Sequence, residues 1–200
     1  GQANTRFGNG TLLLDTPDIQ CPDSYQYDPL DPVPTMGGRI QMPEVQEAGV
    51  KDQSVIEERE DVLVYTTPRL DRAVTIAGPV EAKLFISSSA VDTDFTAKLV
   101  DVEPNGYCGN VTEGILRARY RDSMEEATFM QPGDVYEISV DLWHVAHTFK
   151  PGHRIRLEIS SSSFPRWDRN SNTEVHPCDA AREDMQIATN TIYHESDKAS

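Results

Sequence analysis

Beyond residue 50 the chain alternates apolar and polar positions in short runs. Val80, Ala82, Leu84 and Ile86 fall on one side of an extended backbone and Glu81 and Lys83 on the other, the period of two that marks a strand with one buried face. Similar runs occupy 62–65, 95–102, 115–121, 135–142, 154–160 and 187–193; in 154–160, Ile155, Leu157 and Ile159 point inward. On 115–121 the pattern sets Leu116, Ala118 and Tyr120 on one face and lines Arg117, Arg119 and Arg121 along the other. Turn chemistry separates the runs: Glu103-Pro104-Asn105-Gly106, Gln131-Pro132-Gly133-Asp134 and Lys150-Pro151-Gly152-His153. Only 179–185 has a local helical look. Many short strands divided by Pro/Gly turns predict an all-β chain, a two-sheet β-sandwich of the jelly-roll, galactose-binding-like kind.

The first 50 residues lack this rhythm. Asp28-Pro29, Asp31-Pro32 and Gly37-Gly38 follow in quick succession, which excludes a helix, and apolar residues are too few for a separate core. Residues 1–50 are therefore expected to form an extended arm laid over a neighbouring surface, and residues 51–200 the sandwich. No internal repeat is visible.

Composition narrows the partners. No apolar run approaches the roughly 18 residues of a membrane span, so a soluble protein is expected. The 33 acidic and 18 basic side chains leave a formal charge of -15, which repels nucleic acid and anionic membrane surfaces. The three cysteines, Cys21, Cys108 and Cys178, form no CxxC pair and are read as free thiols, consistent with a cytoplasmic setting. The sequence opens at Gly1 without an initiator Met or a signal-peptide pattern, so a processed or excised fragment is expected.

No catalytic centre emerges. A hydrolase elbow is written G-x-S-x-G, and no serine has that frame; Gly106-Tyr107-Cys108-Gly109-Asn110 fails on spacing and follows a hairpin turn. His144, His147, His153, His176 and His194 lack partners at a recognised zinc spacing, and His153, in a Pro-Gly turn, is expected to donate to loop carbonyls. Asp92-Thr93-Asp94 opens like a calcium loop but lacks its glycine and closing Glu, so these acids are read as capping the entry to a strand. The arginine row is expected to pair with carboxylates such as Asp94 or Asp101 across the sheet. In Phe164-Pro165-Arg166-Trp167-Asp168-Arg169-Asn170, two aromatics and two guanidinium groups share one loop. Phe164, Arg166, Trp167 and Arg169 form a candidate domain interface, with a self-packed loop as the alternative. No metal or cofactor is expected.

Several segments in register carry a resemblance. Residues 92–102 (DTDFTAKLVDV), 114–121 (GILRARYR), 151–155 (PGHRI) and 160–165 (SSSSFP), with Tyr27-Asp28-Pro29, Asp31-Pro32-Val33-Pro34-Thr35 and Gly37-Gly38 ahead of them, resemble the C-terminal domain of the X-Pro dipeptidyl-peptidase and cocaine-esterase family of serine hydrolases. The resemblance implies a non-catalytic jelly roll that follows an α/β-hydrolase domain holding the Ser, Asp and His of the triad. Nothing catalytic carries over to this chain. It also implies that Arg39, Ile40, Gln41 and Met42 approach the shared cleft and line the acyl pocket of the intact enzyme. Family members usually continue past the segment matching Ile192-Tyr193-His194 into a short apolar closing strand, so an open sheet edge or core gap is expected here.

The function expected is therefore that of an accessory domain, inert alone, which shapes the cleft of a parent that hydrolyses an ester, an amide or an X-Pro dipeptide. Its partner would be the parent's α/β-hydrolase domain. Two rivals stand beside it: a free-standing sugar-binding module using Trp167, Trp143 and Tyr107, and a domain that mediates homo-oligomer contacts.

Overall fold

The computed structural model describes residues 2–13, 21–40, 44, 47–195 and 198–199. Its strands are β1 Asp23–Tyr27, β2 Leu63–Thr66, β3 Val74–Ser88, β4 Asp94–Val102, β5 Cys108–Arg117, β6 Tyr136–Phe149, β7 Arg154–Ser160, β8 Ala188–Ile192, β9 His194–Glu195 and β10 Lys198–Ala199. Antiparallel pairing joins β1 to β8, β2 to β7, β3 to β6 and β4 to β5. This is the pattern of one long doubled chain turned back at 103–107. Rolling that ribbon brings β8 beside β3 and β7 beside β4 and yields two four-stranded sheets, ordered β1-β8-β3-β6 and β2-β7-β4-β5. The result is the predicted jelly-roll β-sandwich.

The core lies between the sheets. Tyr25 and Tyr27 of β1, Leu84 and Ile86 of β3, Phe95, Ala97 and Leu99 of β4, Ile138, Val140 and Leu142 of β6, and Ile159 of β7 are all buried in one cluster. Gly114 of β5 lets one side of the sandwich close. A Cβ there would stand 1.9 Å from the carbonyl oxygen of Asp141 on β6.

The outer face of the β2-β7-β4-β5 sheet is also covered, which explains why both faces of β4 are buried. Val33, Ile56 and Val62 pack with Val64 over it, and a layer of charges lies beneath them. Lys98 sits between Glu113 on β5 and Glu158 on β7 in the sheet register, 3.2 Å from Glu158 and 2.8 Å from the Gln53 amide oxygen. Arg156 reaches Glu57 at 2.5 Å.

Several elements differ from the sequence reading. The fifth strand ends at Arg117, and Ala118–Tyr120 turns as a short 3-10 helix, so Arg117, Arg119 and Arg121 do not form one row. The strand expected at 135–142 runs on to Phe149, bending at Trp143. The helical look of 179–185 reduces to a 3-10 turn at Arg182–Asp184. Ahead of residue 51, β1 pairs into a sheet with Asp23, Tyr25 and Tyr27 facing inward. Among the described residues no helix is long and apolar enough to cross a membrane.

Candidate docking face

Parts of two separately expected segments, residues 39–40 of the first and 164–169 of the second, meet at the outer edge of β5. The approach begins with the arm running beside the loop that follows β7. The Thr35 amide donates to the Phe164 carbonyl at 2.7 Å, the Phe164 amide to the Val33 carbonyl at 2.9 Å, and the Arg166 amide to the Thr35 hydroxyl at 3.1 Å. The arm then turns at Gly38, whose φ of +78° suits glycine and where a Cβ would lie 2.5 Å from the Glu113 carboxylate. Arg166 closes an ion pair on that same carboxylate. One residue along β5, the Thr112 hydroxyl accepts from Arg39 at 3.1 Å. Glu113 and Thr112 thus tie both segments to one strand.

Stacked cation and aromatic pairs finish the surface. The Arg166 guanidinium lies 4.4 Å from the Trp167 ring centre, Arg169 5.3 Å from Phe164, and Arg39 5.3 Å from Trp143. Arg169 also donates to the Pro29 carbonyl at 3.1 Å. Trp167 is half-buried under Arg166, whereas Phe164 keeps 40% of its surface exposed and Trp143 54%. The loop is therefore self-packed at Arg166 and Trp167 and open at Phe164. Arg39 is exposed, Ile40 is buried, and Gln41 and Met42 lie outside the described residues.

Behind this surface a buried polar cluster holds the loop in place. Asp92 accepts from the Arg119 amide at 2.8 Å, from Arg119 Nε at 2.7 Å and from Asn170 at 2.7 Å; Asp94 accepts from Arg117 through two bonds of 2.9 Å and from Asn170 at 2.8 Å. Burial pushes the Asp94 carboxyl up, against the opposing pull of the Arg117 guanidinium. The carboxylates of Asp92-Thr93-Asp94 therefore cap the entry to β4 and anchor Asn170 as well. Neither Asn170 nor Glu113 was singled out in the sequence; the pair of acids at 92 and 94, which on burial demand donors nearby, is the signal that could have found Asn170.

Several of the other chemistry-bearing residues are engaged within the domain. His153 Nδ1 meets the Asp101 carboxylate at 2.8 Å, not loop carbonyls as expected, because β4 brings Asp101 beside the turn; His147 Nε2 takes its second oxygen at 3.0 Å. His194 Nε2 lies 2.9 Å from Asp23. Burial works to raise Asp23, but the His194 hydrogen bond and the Ala3 amide hold its carboxyl below the usual range. Cys108 is buried, and that burial together with Glu57 pushes its thiol up to about 12, leaving little thiolate for attack on a substrate. Among the described residues no three His, Cys, Asp or Glu side chains are arranged to hold a metal ion.

Over residues 1–200 the chain matches the family described as X-Pro dipeptidyl-peptidase C-terminal non-catalytic domain. The chain belongs to this family. Cocaine esterase from Rhodococcus sp. (strain MB1 Bresler) is 45% identical over 193 residues, covering 96% of this chain and 33% of that protein. The crystal structure of an aminopeptidase from the marine sediment archaeon Thaumarchaeota archaeon superposes with a TM-score of 0.86 at 33% identity, over 95% of this domain and 34% of that chain. An α-amino acid ester hydrolase structure gives 0.82 at 32% identity, over 88% of this domain and 31% of that chain. The domain thus spans about a third of the length of the relatives it matches.

Proposed function

We propose that this domain docks through the β5-edge face onto the α/β-hydrolase domain of a serine hydrolase acting on esters or amides, and that residues 39–42 border the shared cleft. The observation that carries the reading is the convergence of the 39–40 and 164–169 segments on Glu113 and Thr112. A face of Arg–aromatic pairs with an exposed Phe and Trp has the composition from which interface anchors are drawn. The relatives' names, an esterase, an aminopeptidase and an ester hydrolase, support hydrolysis by an acyl-enzyme route in the parent. The domain itself contributes shape and fixed contacts rather than a nucleophile. A cytoplasmic parent fits two exposed, unpaired thiols, Cys21 and Cys178.

The test is reconstitution. Titrating this chain into a separately expressed α/β-hydrolase portion of the parent should raise nitrophenyl-ester hydrolysis to a plateau, with the chain alone giving none. A flat titration with both parts folded, or hydrolysis by the chain alone above a heat-killed control, contradicts the reading.

A further inference from the structure

Trp143 is a bulky residue with φ of +71°, in the left-handed region that favours glycine, and more than half of its surface is exposed. Backbone strain and an exposed indole at one position point to a use. The bend is built in from several sides. The β3–β6 register shifts opposite it, between Pro79 and Glu81. The Trp143 amide donates to Asp141 Oδ1 at 2.7 Å, and the Thr112 hydroxyl donates to the Leu142 carbonyl. That same hydroxyl accepts from Arg39, so one side chain sets both the indole and the guanidinium that lies against it.

Arg39 is held on one face by the ring and at one donor by a neutral hydroxyl. Among the described residues it has no carboxylate partner, although the chain has 33 acids for 18 bases and Arg117, Arg119, Arg156 and Arg166 are each ion-paired. Its remaining N–H groups form a planar fork suited to two oxygens of one carboxylate. We infer that Arg39, braced by Trp143, is a specificity-determining residue that receives a carboxylate carried on the acyl group of the parent's substrate. The inference rests on the reading of residues 39–42 as the cleft rim. Trp143 is a positioning residue in this arrangement and acts through Arg39.

The experiment uses the parent hydrolase containing this domain and two nitrophenyl esters of similar length, the hemiglutarate with a free carboxylate and the neutral butyrate. Arg39→Gln should raise KM for the hemiglutarate about tenfold more than for the butyrate, the scale of one charge-assisted hydrogen bond. Trp143→Leu should reproduce a several-fold part of that selective loss and Trp143→Phe a smaller part of it, read as the ratio of KM for the two esters. Equal effects of Arg39→Gln on both esters would overturn the inference and assign Arg39 to a carboxylate of the catalytic domain. No effect of Arg39→Gln, while Met42→Ala alters KM, overturns it and leaves the rim reading standing. If neither variant alters KM for either ester, the rim reading fails with it.

Discussion

Glu158 should make the domain less stable as pH rises from 5 to 8. Its side chain is buried with Glu57 beside it, and among the described residues one carboxylate oxygen, Oε1, is given no hydrogen-bond donor. Burial, the largest cause, pushes its carboxyl from 4.5 to about 7 against the pull of Lys98 at 3.2 Å, and Glu57 adds to the rise. A carboxyl whose folded pKa is raised costs nothing below its unfolded value and carries its full cost above the folded one, so stability falls between about pH 4.5 and 7. At about 1.4 kcal/mol per pH unit the full cost is on the order of 3 kcal/mol. Glu158→Gln removes the titration and leaves Lys98 bonded to Gln53 at 2.8 Å. Breaking the Lys98 pair has its own cost, so the informative quantity is a double difference: the change in urea unfolding free energy from pH 5 to 8, wild type minus variant. The wild type should lose about 1–3 kcal/mol more than Glu158→Gln over that interval. Parallel profiles for the two proteins would refute the reasoning.

Three further outcomes follow from the packing. Gly114→Ala forces a Cβ against the Asp141 carbonyl and should cost about 2–4 kcal/mol, lowering the melting temperature by roughly 5–15 °C; a drop under 2 °C would mean β5 and β6 are not held that close. Asp92→Asn removes the charge that pairs with buried Arg119 and should cost about 3–5 kcal/mol in urea unfolding, whereas a loss below about 1 kcal/mol would show that the Thr173 and Val175 carbonyls alone satisfy the guanidinium. Dithionitrobenzoate should label Cys21 and Cys178 quickly in the native domain and Cys108 only after denaturation, a pattern that fast labelling of all three would contradict.

The strands with clean alternation were legible because one face of each meets the core and the other meets solvent or charge. Val80, Ala82, Leu84 and Ile86 are such a case, and all four pack into the core. β1 was hidden because two of its inward residues are tyrosines, the third is the hydrogen-bonded Asp23, and its flanks are rich in Pro and Asp. The 115–121 run misled because Ala118 and Tyr120 keep the period of two while the backbone turns into a 3-10 helix, where Asp92 and the Thr93 carbonyl capture Arg119 and Ala118. At the candidate face the arginines and aromatics could be picked out by residue type. The anchoring of Arg166 on Glu113 and of Arg39 on Thr112 could not, since it depends on the arm crossing the sheet and on the positive φ at Gly38. Trp143 was visible only as an aromatic; its strain and its contact with Arg39 come from the β6 bend, which no local pattern encodes.

Hydrogen–deuterium exchange tests the docking claim most directly, by comparing this chain alone with the same residues inside the intact parent hydrolase. The account predicts added protection in the parent at 36–40, around 142–144 and at 164–169, with little change at 74–79 on the far part of β3. Unchanged exchange at the β5-edge face, or protection gathered on the paired stretches 74–79 and 145–149 instead, would contradict it.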